Sequence, residues 1–199
     1  GTARQGLTGL SRNIRLATFS YQKSPMKQNT IPMLVLATLT FVSVPFVWAD
    51  DSRVAQDFEI DADINEVWKA FTTKEGTKLW WAPLVEMDDF AVGAKIRSNY
   101  NSKGRIGDAT TIENTILSFD PHRMISIRPT KFPAGFPFVE AAKKQWTVFY
   151  FQKVSPKRTR ITLVGLGYTD DQQSRQLRGF FIAGNKLSIA KLKVALEKK

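Results

Sequence analysis

From residue 54 onward the chain is dominated by short segments in which apolar and polar residues alternate. Residues 54–60 (VAQDFEI) put Val54, Phe58 and Ile60 on one face, the pattern of a half-buried strand. Residues 84–89, 94–100, 110–119, 124–128, 145–154 and 159–167 read as further strands. Turn-forming stretches such as 101–107 (NSKGRIG) and Asp120-Pro121-His122-Arg123 separate them. Segment 145–154 (QWTVFYFQKV) is apolar on both faces, which predicts a strand that is central or covered on both sides. Strands that follow one another through short turns predict an antiparallel sheet.

Three stretches switch to a helical period. Asp63 is placed to cap a helix over residues 64–72, in which Ile64, Val67, Trp68 and Phe71 share one face. Thr73 can cap a second, short helix over residues 74–81. That helix ends in Trp80-Trp81-Ala82-Pro83, and Pro83 disfavours helical backbone at Ala82. Residues 170–199 form the long last helix, with Asp170 and Asp171 at its start and Lys191, Lys193, Lys198 and Lys199 towards its end, as the helix dipole favours. Its stripe of Phe181, Gly184, Ser188, Leu192 and Ala195, flanked by Phe180, Leu187, Ile189 and Leu196, predicts burial against the sheet. Gly184 is expected where the helix backbone meets a strand or a bulky side chain. The fold class is therefore α+β: a curved antiparallel sheet of about seven strands around a long C-terminal helix, with two short helices after the first strand. One connection stands apart. Residues 129–144 (PTKFPAGFPFVEAAKK) are dense in Phe and Pro, and Phe132, Phe136 and Phe138 either gate a site or plug the core beneath the loop.

Composition narrows the chemistry. The 199 residues carry 29 basic and 18 acidic side chains. Residues 1–49 hold five of the basic ones (Arg4, Arg12, Arg15, Lys23, Lys27) and no acid, so the remainder is only mildly basic. Its charges are mixed rather than striped, which argues against nucleic acid as a partner. There is no cysteine and a single histidine, His122, which excludes disulfides, thiol nucleophiles and Cys/His zinc sites within one chain. No cofactor or metal is called for. His122 is read as an exposed turn residue. Residues 26–49 combine a basic start, an apolar run and Val47-Trp48-Ala49, the pattern of a secretory leader cleaved after Ala49. Pro32 and Pro45 speak against a regular spanning helix, and an uncleaved membrane anchor is the alternative. Residues 1–25 are read as an upstream segment and 50–199 as the domain, periplasmic or secreted, touching a membrane only transiently through the leader.

The order strand, two helices, six strands, long helix resembles the START-like, or SRPBCC, superfamily. Three motifs carry the resemblance: Ile60-Asp61-Ala62, then Val67-Trp68-Lys69-Ala70-Phe71-Thr72, then Glu75-Gly76-Thr77-Lys78-Leu79-Trp80-Trp81. Val92-Gly93-Ala94-Lys95 and Asp120-Pro121-His122-Arg123 add to it. Within the superfamily the chain is most similar to the domain related to the activator of the ninety-kilodalton heat-shock protein ATPase. It departs from that pattern in Lys74, where proline often stands, and in Gly184-Asn185, where Gly-Trp is usual. The resemblance implies a helix-grip fold, with a cavity between the concave sheet and the last helix. Trp68, Trp80, Trp81, Tyr100, Trp146, Tyr150 and Phe181 are its candidate walls, with Phe132, Phe136 and Phe138 as a gate.

Three functions follow as expectations. The first is an exported domain that binds a hydrophobic or aromatic small molecule. The second is a cyclase- or aromatase-like enzyme that draws its acid or base from Glu86, Asp88, Glu113, Tyr100 or Tyr150. The third is a co-chaperone-like protein-interaction module, which requires that residues 26–49 are not a leader.

Overall fold

The computed structural model describes residues 52–197; the expected leader 26–49, its cleavage after Ala49 and the upstream segment 1–25 lie outside the described residues. Strand β1 (Arg53–Ile60) leads into helices α1 (Ile64–Thr72) and α2 (Lys74–Lys78). Strands β2 (Leu84–Met87), β3 (Lys95–Asn99), β4 (Ile112–Asp120) and β5 (Met124–Lys131) follow. Helix α3 (Val139–Lys144) precedes β6 (Trp146–Ser155), β7 (Arg158–Leu166) and the long helix α4 (Gln172–Leu196). The strands form one seven-stranded sheet in the order β1-β7-β6-β5-β4-β3-β2, antiparallel throughout. This is the antiparallel sheet and long last helix that the pattern predicted, and the helix-grip fold that the resemblance implied. Among the described residues no helix is long and apolar enough to cross a membrane.

The caps read from the sequence form as expected. The Asp63 carboxylate accepts from the Asn65 amide at 2.7 Å, the Thr73 hydroxyl from the Gly76 amide at 3.0 Å, and the Asp171 carboxylate from the Ser174 amide at 2.9 Å. Strand register decides the two faces of the sheet. Phe58 sits opposite Ile161, Ile161 opposite Phe151, Ile125 opposite Phe149, and Ile96 opposite Asn114. The buried cluster runs along this concave face and under the C-terminal half of α4, through Ile60, Phe71, Ile116, Phe149, Phe151, Ile161, Ile189, Leu192 and Leu196. A second cluster, Val54, Ala141, Ala142, Tyr168 and Leu177, closes the other end under the start of α4.

Several expectations are corrected. Helix α2 stops at Lys78 rather than reaching residue 81, so the tryptophan pair lies on the turn that follows it. The 129–144 connection is less irregular than its prolines imply. Its start continues β5 to Lys131, and its end, VEAAKK, is α3. Strand β6 is interior to the sheet, yet its outer face is open: Tyr150 is 47% exposed. Helix α4 is buried at Ser174 and Leu177 and again from Ile189 to Leu196, but not along the whole predicted stripe. Phe180 and Leu187 are exposed.

The turn after β3 is held by one carboxylate. Asp108 accepts from the Arg105 amide at 2.9 Å, the Thr110 amide and hydroxyl, both at 2.8 Å, and the Asn99 side-chain amide at 3.0 Å. These bonds, led by the Arg105 amide and Thr110 hydroxyl, hold its carboxyl far below the usual carboxylate range, against the opposing cost of desolvation. A lowered folded-state pKa contributes stability that is full above the unfolded value, about 3.9, and is lost as pH falls through the folded value. Asp108→Asn is therefore expected to lower the urea midpoint at pH 7. The gap to the parent protein should narrow when both are measured at about pH 3, below the ordinary Asp value. A gap that is unchanged at acid pH would rule out this role for the charge.

Candidate functional site

The site is built from the end of α1 outward. A Cβ on Gly76 would lie 2.2 Å from the Lys69 carbonyl oxygen and 2.5 Å from the Ala70 Cα. Only glycine lets α2 cross the end of α1 at backbone contact. That crossing delivers Trp80 back onto α1, where its indole Nε1 donates to the Ala70 carbonyl at 2.9 Å. The bond satisfies one of the carbonyls that the last turn of a helix leaves without a partner. Trp80 is 4% exposed and packs 4.5 Å from the Phe71 ring, while half-buried Trp81 lies beside it at 5.2 Å with its plane tilted by 56°.

Both tryptophans form part of the wall of a cavity of about 520 Å³ between the concave sheet and α4. Its floor is the sheet, with Ser98, Asn114, Ile127, Thr147, Phe149 and Leu163. Its roof is the middle of α4, where Phe181, Gly184, Asn185, Ser188 and Ile189 face down. Exposed Leu187 and Lys191 stand at its edge, with Tyr100 across from them on the strand side. Phe132, Phe136 and Phe180 close the far end. Phe136 is stacked on Phe132 at 5.9 Å with planes 4° apart and meets Phe180 edge-on at 5.8 Å.

Gly184 has the opposite role from the one expected. An added Cβ would meet no atom within 4 Å, so the helix there faces open space rather than a strand or a bulky side chain. Side-chain hydrogen bonds tie the middle of α4 to β1. Gln56 of β1 donates to the Ile182 carbonyl at 3.1 Å and accepts from the Asn185 side chain at 2.9 Å.

Of the residues singled out in the sequence, Trp80, Trp81, Tyr100, Phe132, Phe136 and Phe181 lie on the cavity wall. Trp68 lies off it, packed edge-on against Phe90, Phe151 and the His122 ring, the last at 5.3 Å. His122 itself is exposed and takes a positive φ of 59° in the turn between β4 and β5. Phe138 stands behind the wall, 5.6 Å from Phe136 and 6.2 Å from Phe180. Trp146 and Tyr150 alternate with the wall residues Thr147 and Phe149 along β6 and so face the outer side, where the Arg128 guanidinium covers Trp146 at 5.9 Å. The acidic candidates also lie off the wall. Glu113 pairs with Lys95 at 2.7 Å, Asp88 pairs with Arg97 at 2.7 Å, and Glu86 is exposed opposite Arg97. Arg97 faces outward, so these partners mark the outer face.

The ionisable side chains on the cavity wall are Tyr100 and Lys191. Among the described residues no cluster of His, Cys, Asp and Glu could hold a metal ion. The sequence reading missed Ser98, Asn114, Gln145 and Lys191. A polar residue in an alternating strand reads as outward-facing until the register is known, and a lysine near the end of a helix reads as dipole compensation.

The same fold recurs in solved structures of low sequence identity. The Aha1 dimer from Colwellia psychrerythraea is 17% identical, with a TM-score of 0.57 over 73% of this chain and 96% of that one. Protein MLL2253 from Mesorhizobium loti is 18% identical, with a TM-score of 0.58 over 74% and 98%. Norcoclaurine synthase from Thalictrum flavum, solved in complex with dopamine and hydroxybenzaldehyde, is 11% identical, with a TM-score of 0.53 over 74% and 87%. No curated protein matches the sequence. The sequence profile of one family matches residues 61–197, from the turn after β1 to the end of α4, and so takes in the α1–α2 crossing, the tryptophan pair and the roof helix. The chain belongs to the family of Activator of Hsp90 ATPase homolog 1-like proteins.

Proposed function

We propose that the domain binds a hydrophobic or aromatic small molecule between the sheet and α4. One observation carries this reading: a largely apolar cavity of about 520 Å³, within the 300–1,000 Å³ typical of ligand sites, roofed by a helix whose glycine leaves it open. Aromatic walls at both ends, Trp80 and Trp81 at one and Phe132 and Phe136 at the other, suit a flat apolar body. Norcoclaurine synthase, solved with aromatic ligands, supports the reading at the level of fold. The leader-like pattern of residues 26–49 supports placing this binding outside the cytosol.

An enzyme is the second reading, favoured by one observation: the Tyr100 phenol lies on the wall. Binding is the better account, because general acid–base chemistry needs a tuned group at the reacting atoms. Of the carboxylates considered for it, Glu113 and Asp88 are engaged with Lys95 and Arg97, and Glu86 is exposed beside them on the outer face.

The test is titration of the full chain with N-phenyl-1-naphthylamine, a neutral aromatic fluorophore, with stoichiometry read by native mass spectrometry. Saturable binding of one molecule per chain, with a Kd of about micromolar, is expected. Unsaturable or multiple weak binding would overturn the reading.

A further inference from the structure

The cavity wall is not uniformly apolar, and its polar groups are not equivalent. Gln145 is spoken for: its side-chain amide donates to the Trp146 carbonyl and to the Thr147 hydroxyl, both at 2.9 Å. Asn185 is spoken for by Gln56. Ser98 differs. It is fully buried, it belongs to the wall, and its hydroxyl oxygen has no hydrogen-bond partner in the protein. A hydroxyl withdrawn from water without a partner is destabilising, so such a group in a cavity wall needs a reason.

Strand register places a second polar group beside it. Ser98 pairs with Ile112, and Asn114 pairs with Ile96, so Ser98 and Asn114 are diagonal neighbours on the concave face of β3 and β4. The Asn114 carboxamide also lies on the wall and makes no side-chain hydrogen bond among the described residues. Around them the wall is hydrocarbon and aromatic: Trp81, Ile112, Ile127 and Ile189. No charged group of the wall lies on these two strands, and the one cation, Lys191, is on the opposing helix.

We propose that Ser98 and Asn114 form a polar subsite that receives an uncharged oxygen of the occupant, a ketone, aldehyde or hydroxyl, while the rest of the molecule fills the aromatic cavity. This rests on the small-molecule reading above and adds the chemical class. A hydroxyl and a carboxamide can each donate and accept, so together they can meet both the lone pairs and any proton of such an oxygen. A bare carboxylate is poorly served there, because burying a charge without a facing cation is costly. Serine and asparagine thus select for polarity without charge.

The test uses a pair of probes of nearly the same shape, 2-acetylnaphthalene and 2-isopropenylnaphthalene, with binding to the full chain followed by tryptophan fluorescence or calorimetry. The ketone is expected to bind about three- to tenfold more tightly, the worth of one net hydrogen bond. Ser98→Ala is expected to bring the two affinities together while the thermal midpoint holds or rises, since the change removes a buried hydroxyl without a partner. Asn114→Ala, read in the same way, gives an independent second measurement. Equal affinities in the parent protein would overturn the subsite and leave the cavity reading intact, whereas failure of both probes to bind would overturn the cavity reading itself. A third probe, 2-naphthoate, bounds the charge. If it binds most tightly, and Lys191→Ala but not Ser98→Ala abolishes that preference, the polar handle is the lysine and the proposal fails.

Discussion

Trp80→Ala is expected to cost the domain about 3–5 kcal/mol, the range for truncating a large buried aromatic. Trp80 is nearly inaccessible, packs on Phe71, and hydrogen-bonds the Ala70 carbonyl at the end of α1. Truncation removes the packing and leaves that carbonyl without its donor. The loss is a large part of the 5–15 kcal/mol that a domain commonly holds. Trp80→Phe bounds the polar contribution, because it keeps much of the apolar volume but removes the indole N–H together with one ring of the bicycle. It is expected to cost at least the penalty for a buried acceptor left unsatisfied, about 1–3 kcal/mol, and less than the alanine variant. Urea denaturation of the three proteins measures both. An alanine variant within about 1 kcal/mol of the parent, the ordinary effect of a single substitution, would show that the pair does not pin α2 to α1. Trp81, half-buried, is the more exposed of the two tryptophans on the cavity wall.

Gly184→Leu is expected to weaken probe binding by about tenfold or more without unfolding the protein. A Cβ at this position meets nothing within 4 Å, and the position lies on the cavity wall, so the new side chain enters the cavity and not a neighbour. Replacing glycine inside a helix also removes a propensity penalty of about 1 kcal/mol, so the thermal midpoint should rise. Affinity for N-phenyl-1-naphthylamine should fall by about tenfold or more, the equivalent of at least 1.4 kcal/mol. Opposite movements of stability and binding identify a position kept open for a ligand. Unchanged affinity would place the probe elsewhere on the protein, and a fall in stability would show that the space is not free.

The sequence made the framework legible for a physical reason. Capping residues and alternation are local signals: Asp63, Thr73 and Asp171 act on amides a few residues on, and each strand carries its alternation within itself even where, as for β1 and β7, its partner is distant in sequence. The Trp80-Trp81 motif was legible as a fold marker because Gly76 and Trp80 meet α1 only a few residues back along the chain. The cavity was harder to read. Whether Trp146, Tyr150 or Phe149 faces it depends on strand register, and a shift of one residue exchanges the faces. Trp68 stands on the apolar face of α1 as predicted, but that face packs against Phe90 and Phe151 rather than the opening. Helix α3 was masked because Pro133, Gly135 and Pro137 dominate the local pattern, although VEAAKK favours a helix. Ser98 carried no signal at all: a serine between strand residues looks like surface until its partners are known to be absent.

Helix α4 separates two kinds of constraint along one element. Ser174 and Leu177 at its start, and Ile189, Leu192 and Leu196 towards its end, are locked into the two buried clusters. The stretch between them is held by Gln56 at Ile182 and Asn185 and by Phe180, Phe181 and Ile182 against the neighbouring aromatics, and it borders space at Gly184. Substitutions in the middle therefore reshape the interior volume without loosening the ends that hold the fold. If the cavity holds a small molecule as proposed, its occupant can be changed by single substitutions in this span that each leave the protein folded.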